Sequence, residues 1–291
     1  MRIIEFLISE AEDGKTAKSV LCEKGVSRRL LIKLKNTENG ITLDGAHIRV
    51  IDKVEKGKTL KVMIADDIKT ATSEEIDVPV LYCDNDIIAL DKPPFMIIHP
   101  SRSHQKNTLA NAFACFIEKK GLSAAFRPIN RLDRDTSGIV VSALNQFSAA
   151  KLAGSIEKEY IAICCGEIST DGTIDLPIRR KEGIGTMREV GEGGDSAVTN
   201  YQAIGCSNGF TLLKIKLETG RTHQIRVHFS HIGYPLVGDT LYGTADEFLK
   251  RQALHCSTAS FLHPVTGEKI EISSEIPADM QGFMEKFDLY P

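Results

Sequence analysis

The stretch Asn130-Arg131-Leu132-Asp133-Arg134-Asp135-Thr136-Ser137-Gly138 concentrates two guanidinium groups, two carboxylates and two hydroxyls in nine residues. An opposite charge a few ångströms away lowers a carboxyl pKa, and a two-pronged guanidinium contact fixes the direction of the carboxylate. Arg131 and Arg134 flank Asp133, so an ionised, aimed carboxylate is expected here, which suits a nucleophile or a base. Taken alone, such an aspartate is more often a surface ion-pair partner or a helix cap. Thr136-Ser137 has no Gly-x-Ser-x-Gly surroundings and reads as a turn or helix-start element rather than a serine nucleophile. A glycosidase-like mechanism needs a second positioned carboxylate, and Asp135, two residues along, need not face the same pocket.

Such a site needs an interior, and the chain is long enough to build one. At 291 residues, with 42% hydrophobic and 26% charged residues, it suits a soluble protein of two domains. Apolar runs such as Ile139-Val140-Val141 are too short to cross a bilayer. The start Met1-Arg2-Ile3-Ile4-Glu5-Phe6 lacks the pattern of a signal peptide, so a cytoplasmic protein without a membrane partner is expected. Seven cysteines are scattered without CxxC spacing, which favours neither a disulfide framework nor zinc. Of these, Cys164-Cys165 falls in the apolar run from Tyr160 to Gly166 and reads as strand interior.

The net charge of −3 does not announce a polyanion binder, but its distribution is uneven. Between Lys15 and Lys35 lie Lys15, Lys18, Lys24, Arg28, Arg29, Lys33 and Lys35 against Glu23 alone. From Asp66 to Asp77 the sign reverses. This shift, with Thr70, Thr72 and Ser73 inside it, reads as a linker at 71–79 between a small module at 1–70 and a larger domain at 80–291. In the small module, Ser27 can cap a helix with Leu30, Leu31 and Leu34 on its buried face and Arg28, Arg29, Lys33 and Lys35 outside. Asp44-Gly45 predicts a hairpin between strands at 41–43 and 46–50, and another strand is expected over Thr59 to Ile64. A basic helix followed by small strands resembles the S-four type RNA-binding domain; a plainly solvated helix face accounts for the charges equally well.

In the larger domain, Val80–Cys83 and Ile87–Leu90 predict a hairpin across Asp84-Asn85-Asp86. Pro93-Pro94 should end the second strand. Leu213, Ile215 and Leu217 alternate with Lys214, Lys216 and Glu218 along a further strand. Thr222 is then expected to cap a helix carrying Arg226, with Ile225, Phe229 and Ile232 on one stripe and Gly233 past its end.

Five segments, in order, carry a resemblance to a known family. Leu90 to Pro100 is similar to LDKPxGxxxHP, Asn130 to Gly138 to HRLDxxTSG, Lys158-Glu159-Tyr160 to KxY, Thr219 to His228 to TGRTHQxRVH, and Gly238 to Gly243 to GDxLYG. With the similar tail from Ala253 to Glu268, the chain resembles, over roughly residues 80 to 280, the pseudouridine synthases of the ribosomal-large-subunit type. The resemblance implies an α+β fold: a mixed, mostly antiparallel central sheet flanked by helices and loops, joined to the small N-terminal α/β module. It implies isomerisation of specific uridines in rRNA or tRNA, with structured RNA of the 23S or tRNA kind as partner, a monomeric state, and no redox cofactor, nucleotide or metal. Asp133 matches the family's essential aspartate, Tyr160 the tyrosine that contacts the target base, and Arg226 the arginine that pairs with the aspartate. Ile225 takes the aliphatic position beside the base, and Arg131, Arg134, Arg221 and His223 are expected to bind substrate.

Two positions depart from the pattern: Asn130 replaces histidine and Phe95 replaces glycine. The glycine-rich stretch around Arg179-Arg180-Lys181 and Arg188 reads as an RNA-gripping loop or as a plain flexible excursion. His223 and His228 lack a third ligand at metal spacing and read as structural or RNA-contacting. The alternative to an enzyme is a catalytically silent RNA-binding or ribosome-assembly protein with the same fold.

Overall fold

The computed structural model describes residues 1–65, 71–183 and 185–290; Asp66 and Asp67, where the charge reversal begins, lie outside them. Strands β1 (Arg2–Leu7), β2 (Ile41–Leu43), β3 (Ala46–His47) and β4 (Thr59–Ile64) form a four-stranded sheet in the order β1-β4-β2-β3. Helices α1 (Ala17–Glu23) and α2 (Arg28–Lys35) cover it. The Ser27 hydroxyl caps α2 by accepting from the Leu30 amide, and Leu30, Leu31 and Leu34 are buried. Asp44 and Gly45 both take positive φ, 47° and 84°, the conformation of a two-residue hairpin. The second hairpin strand stops at His47 rather than at Val50, because the amides of Ala17 and Lys18 take up the carbonyls of Asp52 and Val50.

The remaining strands are β5 (Val80–Cys83), β6 (Ile87–Lys92), β7 (Arg127–Pro128), β8 (Ser137–Ala143), β9 (Glu157–Cys165), β10 (Gly172–Asp175), β11 (Ile178–Arg180), β12 (Arg188–Val190), β13 (Val198–Ser207), β14 (Phe210–Leu217), β15 (Leu254–Leu262) and β16 (Lys269–Ser273). Ten of these make one sheet, ordered β10-β13-β14-β9-β15-β8-β6-β5, with β16 on β15 and β7 on β8. Every pairing is antiparallel except β15 with β8, so the fold is α+β around a mixed, mostly antiparallel sheet. The pair β11 and β12 forms a separate hairpin. The stretch that reads as an open loop is therefore a hydrogen-bonded ribbon; its Ile184 lies outside the described residues.

Both faces of the central strands are covered, which is why β8 and β9 read as continuous apolar runs. Along β9, Tyr160, Ala162 and Cys164 face the core shared with α3 (Leu109–Lys119) and α5 (Gln224–His231). Ile161 and Ile163 face α6 (Ala278–Lys286) on the other side. Strand alternation thus sends Tyr160 to the same side as Ile225 of α5. Where β8 and β15 run side by side, Gly138 sits at φ 111°, and a Cβ there would lie 2.2 Å from the Cys256 carbonyl oxygen. The glycine that closes the nine-residue stretch is required by this close approach. Among the described residues no helix is long and apolar enough to cross a membrane.

The two sheets are joined through α4 (Gln146–Leu152). Phe147 of α4 is buried in the core of the N-terminal sheet, its ring 6.1 Å from that of Phe6. Beside it, Arg2 donates to both carboxylate oxygens of Asp86, at 3.0 and 2.6 Å. Asp86 also accepts from Asn145 and Ser148. Nearby Asp84 and His263 complete a cluster of metal-ligating types. However, His263 Nδ1 accepts from the Val265 and Thr266 amides, so the ring hydrogen is on Nε2, 2.9 Å from Asp84. That hydrogen occupies the lone-pair direction a cation would need. Removing the buried ring should show how much this joint matters: Phe147→Ala is expected to lower the unfolding free energy by roughly 3–5 kcal/mol and to speed amide exchange in β1 and β4. Unchanged exchange there would mean the N-terminal sheet stands without the joint.

Candidate active site

Asp133 lies in the turn that enters β8, where the Thr136 amide donates to the Asp133 carbonyl at 3.2 Å. Two buried cations hold this turn by its backbone. The ammonium of Lys92, at the end of β6, donates to the carbonyls of Pro93, Met96 and Arg134 at 2.8, 2.9 and 2.9 Å. Arg251 reaches the Asp135 carbonyl at 3.2 Å while both its Nε and Nη2 bind Asp279 of α6, at 2.6 and 2.8 Å. Asn130, buried at the foot of the turn, donates to the Ile139 carbonyl and accepts from the Val141 amide, at 2.9 and 2.8 Å. Both ends of its amide are used in anchoring β8, and that is the work this departure from the family pattern performs.

The carboxylate itself is held from across the site. Arg226 of α5 donates from Nη1 to Asp133 at 3.0 Å and from Nε and Nη2 to Asp239 at 2.7 and 2.8 Å. The expected clamp by Arg131 and Arg134 is not what forms, because neighbouring residues in a turn point in different directions. Arg134 folds onto Asp135, with contacts of 2.6 and 3.0 Å, and is the one predicted site residue outside the cleft wall. Arg131, Asp133, Tyr160, Arg221, His223, Ile225 and Arg226 all line one cleft of about 60 Å³.

Helix α5 begins at Gln224, not at a Thr222 cap. Its N-cap is His223, in the left-handed conformation at φ 59°. What takes the place of a cap is Gln224: its Oε1 accepts from Thr219 and from the Arg221 amide, and its Nε2 donates to Val198 and Thr199 of β13. This pins the start of α5 and aims His223 into the cleft, with Nε2 3.7 Å from Asp133. Its Nδ1 lies 2.8 Å from the hydroxyl of Tyr242, which accepts from the Arg188 amide. Every group is satisfied when Tyr242 donates to Nδ1, leaving the ring hydrogen on Nε2 toward Asp133. His228 is structural: it is buried between Thr199 and the Leu176 carbonyl, 2.9 Å from each.

Burial works against the charged forms of His223, Tyr160 and Arg226. It lowers the His223 pKa, with the charge of Asp133 opposing. It raises Tyr160 well above the ordinary phenol value, so the ring is a neutral phenol. Burial would also depress Arg226, but the hydrogen bond and charge of Asp239, together with Asp133, outweigh it and hold the guanidinium charged. Next to the cleft, and sharing Arg221 with it, a cavity of about 440 Å³ is lined by Arg179, Arg180 and Arg188 of the β11–β12 ribbon. Phe95 stands at φ 62°, where an L side chain costs roughly 1–2 kcal/mol and glycine is at ease.

Three residues essential to this geometry go unnamed in a reading of the sequence. Asp239 lies in Gly238–Gly243 and Lys92 in Lys92-Pro93-Pro94, so their segments stand out even though their partners do not. Arg251 carries no local signal at all. Lys92 offers a test. Burial pushes its pKa down to about 7, although three carbonyls match the three hydrogens of an ammonium. With the folded pKa below the ordinary 10.5, the unfolded chain binds more protons between these values, so stability rises with pH. Relative to Lys92→Met, the protein should therefore gain up to about 1.4 kcal/mol of unfolding free energy per pH unit from about pH 7 to about pH 9. A flat difference in urea titrations would show that the carbonyls hold the amine near its ordinary pKa.

Known proteins resemble this chain in sequence and in fold. Residues 86–231 match the model of the RNA pseudouridylate synthase family. An uncharacterized RNA pseudouridine synthase of Bacillus subtilis, YjbO, is 35% identical over 273 residues, covering 91% of this chain and 96% of that protein. Ribosomal large subunit pseudouridine synthase D of Xanthomonas campestris is 36% identical over 264 residues, covering 83% and 79%. In fold, human RNA pseudouridylate synthase domain containing 1 superposes with a TM-score of 0.58 at 24% identity, covering 71% of this chain and 86% of that one. With a family match spanning half of the sequence and relatives above 30% identity along most of it, the chain belongs to the RNA pseudouridylate synthase family.

Proposed function

We propose that Asp133 is the carboxylate that carries the isomerisation of uridine to pseudouridine, in a structured ribosomal or transfer RNA. The observation behind this is the Asp133–Arg226–Asp239 chain, in which two buried charged groups, Arg226 and Asp239, hold the half-buried Asp133 carboxylate open to the cleft. The reaction breaks the bond between the sugar and a ring nitrogen, turns the uracil and rejoins it through carbon. Atoms and electrons are conserved. What the chemistry needs is a fixed carboxylate that attacks the anomeric carbon or removes a sugar proton while the base is detached. Arg226 keeps that carboxylate aimed, the neutral ring of Tyr160 and the side chain of Ile225 pack on the base, and His223 presents a hydrogen to the carboxylate.

RNA fits the surroundings. A cleft of about 60 Å³ admits a base rather than a folded strand, so the target must be turned out of its stack, at a cost of a few kcal/mol. Contacts to the adjoining backbone offset that cost, and Arg131, Arg221 and the arginine-lined cavity next door supply the charge. The basic residues Arg28, Arg29, Lys33 and Lys35 of α2 are exposed as well, in keeping with an RNA-binding role for the module at 1–70. A large-subunit rRNA substrate is favoured by the name of the synthase D relatives, and such a substrate sets the work of a monomeric enzyme in the cytoplasm.

Cellular rRNA and tRNA tritiated at uridine C5 should release tritium to water on incubation with the protein. Asp133→Asn should reduce that release to background while retaining RNA affinity. A comparable rate in the variant would remove Asp133 from its role. For the module at 1–70, reversing charge at Arg28, Arg29 and Lys33 should weaken rRNA binding and flatten its salt dependence, by about one unit of log–log slope for each phosphate no longer neutralised. An unaltered slope would leave the helix face merely solvated.

A further inference from the structure

Phe95 sits in a backbone conformation that suits glycine, and packing does not explain why an aromatic ring is there, since the residue is 57% exposed. A bulky side chain held in the left-handed region without burial points to use of the ring itself. The loop that carries it is fixed against the Asp133 turn. One ammonium, Lys92, is bonded to the carbonyls of Met96 and Arg134 together, which sets Phe95 within a few residues' reach of Asp133. The surrounding rim is positive. Between Asp91 and Glu118 the chain has no acidic residue and exposes Arg102 and Lys106, with Glu74 reaching the loop at the Asn107 amide. Arg131 is exposed on the adjoining turn and its charge is felt at His99, while Arg134 beside it is paired with Asp135. A flat apolar face inside a positive rim matches a chain whose backbone is anionic and whose bases have π-faces.

We propose that Phe95 is a stacking platform for an unpaired nucleobase of the RNA, beside the one that enters the cleft. This rests on the reading of the cleft as a uridine site and extends the bound substrate by one base. A base that stacks on Phe95 is held outside the duplex, so the ring stabilises the strand in its opened form while the uridine is turned out. The selectivity it adds is for single-stranded or loosened RNA rather than for a particular base, because every base has a π-face.

Phe95→Gly is the decisive variant, because it gives the backbone the residue it prefers and so separates binding from folding. Its melting temperature should be equal to or above that of the unaltered protein. Its affinity for an unmodified large-subunit rRNA transcript, measured by filter binding, should fall by about 5- to 150-fold. Phe95→Tyr keeps the aromatic face and should restore most of the affinity, while Phe95→Leu, apolar but without that face, should not. Unchanged affinity in Phe95→Gly, a loss that accompanies a lower melting temperature, or full recovery in Phe95→Leu would each overturn the assignment. Tritium release is scored separately. An unaltered protein that binds the transcript yet releases no tritium removes the uridine reading and leaves the affinity comparison standing.

Discussion

A single buried guanidinium, Arg226, is shared by two carboxylates, and the site is arranged around that sharing. Isolating such a charge from water carries a penalty of several kcal/mol, so it persists only with its donors filled. Asp239 takes two of them and is itself anchored by the Leu241 and Tyr242 amides. The remaining Nη1 is left to Asp133. Because Asp239 fixes the guanidinium plane, Asp133 is aimed by a group that cannot turn to follow it. Arg134 is thereby left to pair with Asp135, and Arg131 to line the cleft.

The same economy of charge governs the turn that carries Asp133. Lys92 and Arg251 are both buried, yet they grip the turn through carbonyl oxygens. A cation that paired with the Asp133 carboxylate from below would have competed with substrate. One that binds carbonyls fixes the backbone and leaves the carboxylate to Arg226. Lys92 ties the turn to the loop bearing Phe95, and Arg251 ties it to α6 through Asp279. Three segments far apart in sequence therefore set one carboxylate.

Tyr242 adds a connection of another kind. Its hydroxyl bridges the Arg188 amide and His223, so the arginine-lined ribbon and the histidine beside Asp133 share a hydrogen-bonded partner. On the opposite side, Phe147 and the Arg2–Asp86 pair seat the N-terminal sheet on α4 and the β5–β6 turn. A basic helix face mounted this way has a set position relative to the strands that carry the cleft.

Local physics made much of this legible in advance. The Ser27 cap, the Asp44-Gly45 turn, the β5–β6 hairpin and the alternation along β14 are decided by residues a few positions apart, so the sequence by itself determines them. The ordered motifs did the same for the family, and they singled out Asp133, Tyr160 and Arg226, which line one cleft. What only the tertiary structure decided are the pairings between distant segments. Asp133 is held by Arg226 instead of by Arg131 and Arg134, His223 rather than Thr222 begins α5, and Arg251 braces the Asp133 turn from the far end of the chain. The physical reason is that a turn disperses its neighbouring side chains, whereas a buried charge takes whichever partner the packed sheet brings within hydrogen-bond distance, and sequence separation carries no record of that meeting.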